Sequence, residues 1–93
     1  MGYLSKGYTL GFHMPKSIFS IQQEQLQKLL RQVRVDAGLT QSDLARRLGQ
    51  PQSFVSKYES GERLLDIVEL RRICKAVGVS LVDLVRKWED SVA

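Results

Sequence analysis

Thr40–Arg63, TQSDLARRLGQPQSFVSKYESGER, is the stretch whose reading decides the fold. Thr40 is a good helix N-cap, and Asp43 three residues later completes a capping box. Leu44, Ala45 and Leu48 follow at helical spacing and are expected to point inward. Ala45 is small, as the closest approach of two steeply crossing helices requires. Gly49 supplies a tight turn, and Pro51 suits the first position of the next helix, where its missing N–H is not needed. Val55 and Tyr58 are expected in the core, and Gly61 ends that second helix. Its outer side carries Gln52, Ser53, Ser56 and Lys57, a short row of polar and basic groups.

Working outward, Ser20 is expected to open an upstream helix, with Gln23 in the capping-box position. Leu26, Leu29, Leu30, Val33 and Ala37 make its apolar face, and Gly38 stops it. Downstream, Asp66 and Glu69 form another box, and Ile67, Leu70, Ile73, Cys74 and Val77 follow as a buried face up to Gly78. Ser80 with Asp83 opens a last helix carrying an apolar stripe of Leu81, Leu84, Val85 and Trp88. The expectation is an all-α domain of five helices over residues 20–90, with an N-terminal arm over 1–19 and a tail over 91–93. Within the arm, Tyr8, Leu10, Phe12 and Met14 alternate with Thr9, Gly11 and His13 in a strand-like period, which Gly2, Gly7 and Gly11 weaken. The reading preferred here is a poorly structured arm, with Met14 as an alternative natural start. Lys6 and Lys16 allow such an arm to reach a nucleic-acid groove.

Charge separates the two parts of the chain. Residues 1–63 hold nine Lys/Arg against five Asp/Glu, whereas residues 64–93 hold five of each. The whole excess of +4 thus lies in the part of the chain that contains the opening stretch, where it would attract phosphates. A single cysteine, Cys74, excludes an internal disulfide and is read as core filler. His13, the only histidine, has no companion ligand, so no metal or other cofactor is expected. No group of residues supplies a nucleophile with a base or paired acids, so an enzyme is not expected. No apolar run reaches the roughly 18 residues of a membrane span, and no secretion signal is visible. A cytoplasmic, nucleoid-associated protein is the expectation.

Arg34 to Leu84 resembles the lambda-repressor-like helix-turn-helix family, also called the Xre or Cro/cI type. The strings that carry the resemblance are RVDAGLTQSDLARRLG, VSKYESGER and ICKAVGVSLVDL. It implies a helix-turn-helix over residues 41–60 whose second helix, about 51–60, enters the major groove of double-stranded DNA. It also implies that Gln52 and Ser53 touch base edges, with Lys57 farther along the same face. Gln41 would contact a phosphate and brace Gln52. Ser60 and Arg63 would meet backbone phosphate from the following loop. Arg34 and Glu59 would form an ion pair tying the first helix to the third. Gln50 and Phe54 depart from the pattern, since the first is usually apolar and the second lies between base-reading positions. Phe54 is open to three roles: pressing on a thymine methyl, packing beside the next helix, or meeting a partner.

The residues support these roles on their own chemistry. A glutamine amide donates and accepts at once, which matches adenine N6 and N7. Gln52 lies at the helix end that docks in a groove, and Ser56 and Lys57 follow on the exposed side. Gln41 lies at a helix start, where backbone N–H groups favour phosphate. Arg46 is a further candidate for phosphate. The function expected is a sequence-specific transcriptional regulator that binds a pseudo-palindromic operator as a homodimer, with Leu81, Val85 and Trp88 as candidate interface. The alternative is an antitoxin or accessory module that binds a protein partner through Tyr8–Met14 and Phe54 and uses DNA for autoregulation.

Overall fold

The computed structural model describes residues 18–93, with side chains from Ser20 onward. Five helices follow in order: α1 (Ile18–Asp36), α2 (Gln41–Leu48), α3 (Gln52–Ser60), α4 (Ile67–Val77) and α5 (Leu81–Val92). No strand occurs among the described residues. The alternating stretch Tyr8–Met14, together with Lys6, His13 and Lys16, lies outside them.

The punctuation read from the sequence is realised at most helix ends. Thr40 Oγ1 accepts from the Asp43 N–H at 3.0 Å, and Asp43 Oδ2 accepts from the Thr40 N–H at 3.0 Å. The Thr40 backbone N–H first, and then the Thr40 side chain, hold the Asp43 carboxyl below its ordinary pKa. Asp66 and Glu69 make the same box at the start of α4. Gly49 adopts φ 67°, a left-handed conformation that lets its N–H meet the Ala45 and Arg46 carbonyls and turns the chain into α3.

Three boundaries differ from the sequence reading. The first helix begins at Ile18, so Ser20 lies inside it rather than capping it, and the helix enters the stretch assigned to the arm. At the other end α5 continues to Val92, into the stretch assigned to the tail. Pro51 is the N-cap of α3 and not its first helical residue: ψ of 155° is extended, and its carbonyl accepts from the Phe54 N–H at 2.9 Å. At α5, Ser80 accepts from the Asp83 N–H, but Asp83 Oδ1 turns to Arg86 Nη1 at 2.9 Å rather than back to the cap.

Leu30, Val33, Leu44, Ala45, Leu48, Val55, Tyr58, Ile73, Cys74, Val77 and Leu84 form one buried cluster to which every helix contributes. Desolvation raises the pKa of both the Cys74 thiol and the Tyr58 phenol, as expected for groups kept neutral in a core. Ala37 and Ile67, expected inside, are exposed. Ala37 falls in the turn after α1, and Ile67 is the first residue of α4, where the helix has not yet come over the core. Ala45, almost fully buried, sits where α2 packs against α3 and α4. Two arginines lock α2 and α4 together reciprocally. Arg47 Nη1 donates to the Ala76 carbonyl at 2.8 Å, and Arg72 Nη2 donates to the Leu48 carbonyl at 3.2 Å. Each cation thus satisfies a carbonyl at the C-terminal end of the other's helix, where the macrodipole favours positive charge.

Candidate nucleic-acid interface

The α2–α3 corner is fixed from below by a buried ion pair. Arg34 leaves the last turn of α1 and donates from Nε to Glu59 Oε2 at 2.7 Å and from Nη2 to Glu59 Oε1 at 3.0 Å. Its third arm, Nη1, donates to the Leu39 carbonyl at 2.8 Å, which ties the loop before α2 to the same anchor. Only 10% of the arginine side chain and 5% of the glutamate side chain remain accessible. The hydrogen bond to Glu59 raises the guanidinium pKa further, so Arg34 stays charged.

From this pair the hydrogen bonds continue to the surface. Gln41, the first residue of α2, donates from Nε2 to Glu59 Oε1 at 3.0 Å. Its Oε1 accepts from Gln52 Nε2 at 2.7 Å. Gln52 is the first residue of α3 and exposed, whereas Gln41 is half-buried. The brace expected between the two glutamines is therefore present, and it joins the ion pair in one continuous chain of side chains.

Beyond Gln52, Ser53 and Lys57 lie exposed on α3, while Val55 and Tyr58 fill the core on the opposite side. A single exposed edge therefore carries Gln52, Ser53 and Lys57. Ser56, expected on that edge, is half-buried. Ser60 is exposed; its hydroxyl is 3.1 Å from the Lys57 carbonyl and 3.2 Å from Glu62 Oε2. Arg46 is exposed and lies 3.3 Å from Asp43 Oδ1.

Arg63 and Phe54 are bound up with each other. The Arg63 guanidinium lies over the Phe54 ring, 4.8 Å from its centroid, and Nη2 donates to Glu69 Oε2 at 2.8 Å. Phe54 meets Tyr58 edge-on at 5.6 Å and packs against the core. Of the three roles open to Phe54, packing is the one this fold displays, with the side chain half-buried. Glu69 serves two donors, since Oε1 accepts from the Asp66 N–H while Oε2 holds Arg63. Arg63 and the Asp66 N–H together lower its pKa, Arg63 contributing more. Sequence reasoning identified Glu69 as a cap but missed Arg63 as its second partner, because a six-residue separation across a loop has no helical periodicity to betray it.

On α5, Trp88 is half-buried and its indole Nε1 donates to the Gln22 carbonyl of α1 at 2.9 Å. Leu81 packs against the core, and Val85 remains 41% exposed. No group of three or more potential metal-ligating residues occurs among those described. None of the described helices is long and apolar enough to cross a membrane.

The sequence matches the family model described as helix-turn-helix over residues 30–84, a span that contains the whole α2–α3 corner and its anchor. It is 34% identical over 59 residues to an uncharacterized HTH-type transcriptional regulator, y4dJ, of Sinorhizobium fredii, covering 63% of this chain and 77% of that protein. Among solved structures it is similar to an XRE-family like protein from Pseudomonas syringae pv. tomato, with a TM-score of 0.76 and 42% identity over 82% of this chain and 93% of that one. It is also similar to the wild-type restriction-modification controller protein C.Esp1396I, with a TM-score of 0.71 and 26% identity over 78% and 95% of the two chains. The α2–α3 corner and its anchor thus fall within a known architecture, and the chain belongs to the Xre, lambda-repressor-like family of helix-turn-helix DNA-binding transcriptional regulators.

Proposed function

We propose that this regulator reads a specific operator directly, with α3 in the major groove and Gln52 as its principal base-contacting residue. The observation that carries the reading is the 2.7 Å hydrogen bond by which Gln41 holds Gln52 at the exposed start of α3. A side chain held in one orientation loses less freedom on contacting a base than a mobile one, so it discriminates better. Ser53 and Lys57 extend the reading edge, and half-buried Ser56 contributes only at its margin. Gln41 lies at the N-terminus of α2, where helix N–H groups favour a phosphate. Exposed Arg46 and Ser60 suit backbone contacts on either side. Arg63 is committed to Glu69 and Phe54, so its share is to hold the loop that follows Ser60.

The operator is inferred to be pseudo-palindromic, read by a homodimer whose two α3 helices enter successive major grooves about 34 Å apart. Val85 and its neighbour Val82 are exposed on α5 and provide apolar surface for self-association. Leu81 and Trp88 support that surface from inside the protomer, because both are engaged within the fold. Selection of bound duplexes from a random pool, followed by affinity measurements across salt, tests the reading. The expected result is a site with two related halves whose affinity falls steeply with salt. Binding of all duplexes with equal affinity would contradict it.

A further inference from the structure

The chain of side chains running from Arg34 to Gln52 has a direction, and Glu59 sets it. A carboxylate offers only acceptors, and both Glu59 oxygens face donors of Arg34. The atom that Gln41 turns toward Glu59 must therefore be its amide nitrogen, which lies 3.0 Å from Oε1. An amide with its nitrogen committed to one side presents its oxygen to the other, and Gln41 meets Gln52 with Oε1. Gln52 must then donate. Reversing Gln41 would set oxygen against the Glu59 carboxylate and nitrogen against the Gln52 nitrogen, leaving two contacts without a shared proton. Once one Gln52 N–H is spent on Gln41, one N–H and the carbonyl oxygen remain, a donor and an acceptor side by side.

We propose that Glu59 is a specificity-determining positioning residue: through Gln41 it fixes which way the Gln52 amide faces. The recognition helix then presents a donor–acceptor pair, which matches adenine N6 and N7, rather than two donors, which would match guanine O6 and N7. The inference rests on the reading of Gln52 as a base-contacting residue. Glu59 is almost wholly buried, so its effect on base choice passes through hydrogen-bond order alone.

The test reverses that order while keeping a partner for the carboxylate. In Gln41→Lys the ammonium donates to Glu59 and also to residue 52. Gln52 is then required to turn its oxygen inward and both N–H groups outward. Base preference is measured by selection from a random duplex pool for the parent, Gln52→Ala and Gln41→Lys, with thermal melts to confirm that each folds. A double variant, Arg34→Met with Glu59→Met, removes the ion pair without stranding a buried charge and frees Gln41 to face either way.

The expected result is that Gln52→Ala abolishes preference at one position per half-site, where the parent selects adenine. At that same position Gln41→Lys changes the adenine-to-guanine ratio by about tenfold or more in favour of guanine. The double variant narrows the same ratio and leaves the preferences at other positions in place. A purely structural role for Glu59 would instead lower affinity evenly across positions. Adenine still preferred there in Gln41→Lys, or guanine preferred in the parent, overturns the proposal while the base-reading role of Gln52 stands. No position relaxed by Gln52→Ala overturns that underlying reading and the proposal with it.

Discussion

Arg34 grips Glu59 with two parallel hydrogen bonds, at 2.7 and 3.0 Å, across 25 residues of sequence. The fork joins the end of α1 to the end of the recognition helix. Removing one partner leaves the other as a charge in an almost closed site. Glu59→Ala is therefore expected to cost about 3–5 kcal/mol. The Arg34→Met, Glu59→Met pair is expected to cost far less, because no charge is left unpaired. Urea denaturation of the parent and the two variants measures this, and equal losses for the single and double variants would contradict it.

Phe54 packs under Arg63 and against Tyr58, so its substitution is a stability experiment and not a recognition one. Phe54→Ala is expected to lose about 2 kcal/mol, below the usual range for a fully buried phenylalanine because the ring is half-exposed. Phe54→Leu should lose less. Base preference measured on the folded fraction should stay as in the parent. A changed preference at any position would return Phe54 to the reading surface.

Asp43 and Glu69 both have folded pKa values below their ordinary ones, from cap hydrogen bonds at Asp43 and from Arg63 and a cap at Glu69. Each therefore binds its proton less tightly folded than unfolded. Their stabilisation is complete above the ordinary carboxylate range, near pH ~4, and is lost as pH falls through the lower folded values. Glu69→Gln and Asp43→Asn should flatten the acid limb of a stability profile taken from about pH 6 to about pH 2.5. An acid limb as steep as the parent's in both variants would contradict the assignment.

The Trp88 indole is spent on the Gln22 carbonyl, which makes it a tie between α5 and α1. Trp88→Phe keeps the ring and loses the hydrogen bond, with an expected cost of about 1 kcal/mol to the protomer. Val85→Asp touches an exposed position and should leave the protomer's melting nearly unchanged while weakening self-association. Sedimentation across concentration separates the two effects. Dimer loss in Trp88→Phe with an unaltered protomer would reverse these assignments.

Helix order and ends were legible wherever a cap residue, a box partner and a terminal glycine agreed, as at Thr40, Asp43 and Gly49. The reading slipped where one signal stood alone. Ser20 has cap chemistry but sits inside a helix that starts at Ile18. Pro51 has a φ suited equally to the cap and to the first helical residue. At the recognition corner, Gln41, Gln52, Arg34 and Glu59 were found as two separate pairs. Their union through the Gln41–Glu59 hydrogen bond was hidden, because it depends on how α2 sits over α3 and not on any spacing in the chain. Phe54 was illegible for a related reason. Its neighbours Arg63 and Glu69 approach from beyond a loop, where sequence distance carries no angular information.

Gln52, held by Gln41, is proposed to read a base. The most direct measurement of this role compares the parent and Gln52→Ala on one selected duplex and on its single-base variants, at several salt concentrations. Gln52→Ala is expected to bind the selected duplex about tenfold or more weakly, to lose discrimination at one position per half-site, and to keep the parent's salt slope. Unchanged affinity together with unchanged discrimination at every position would contradict it.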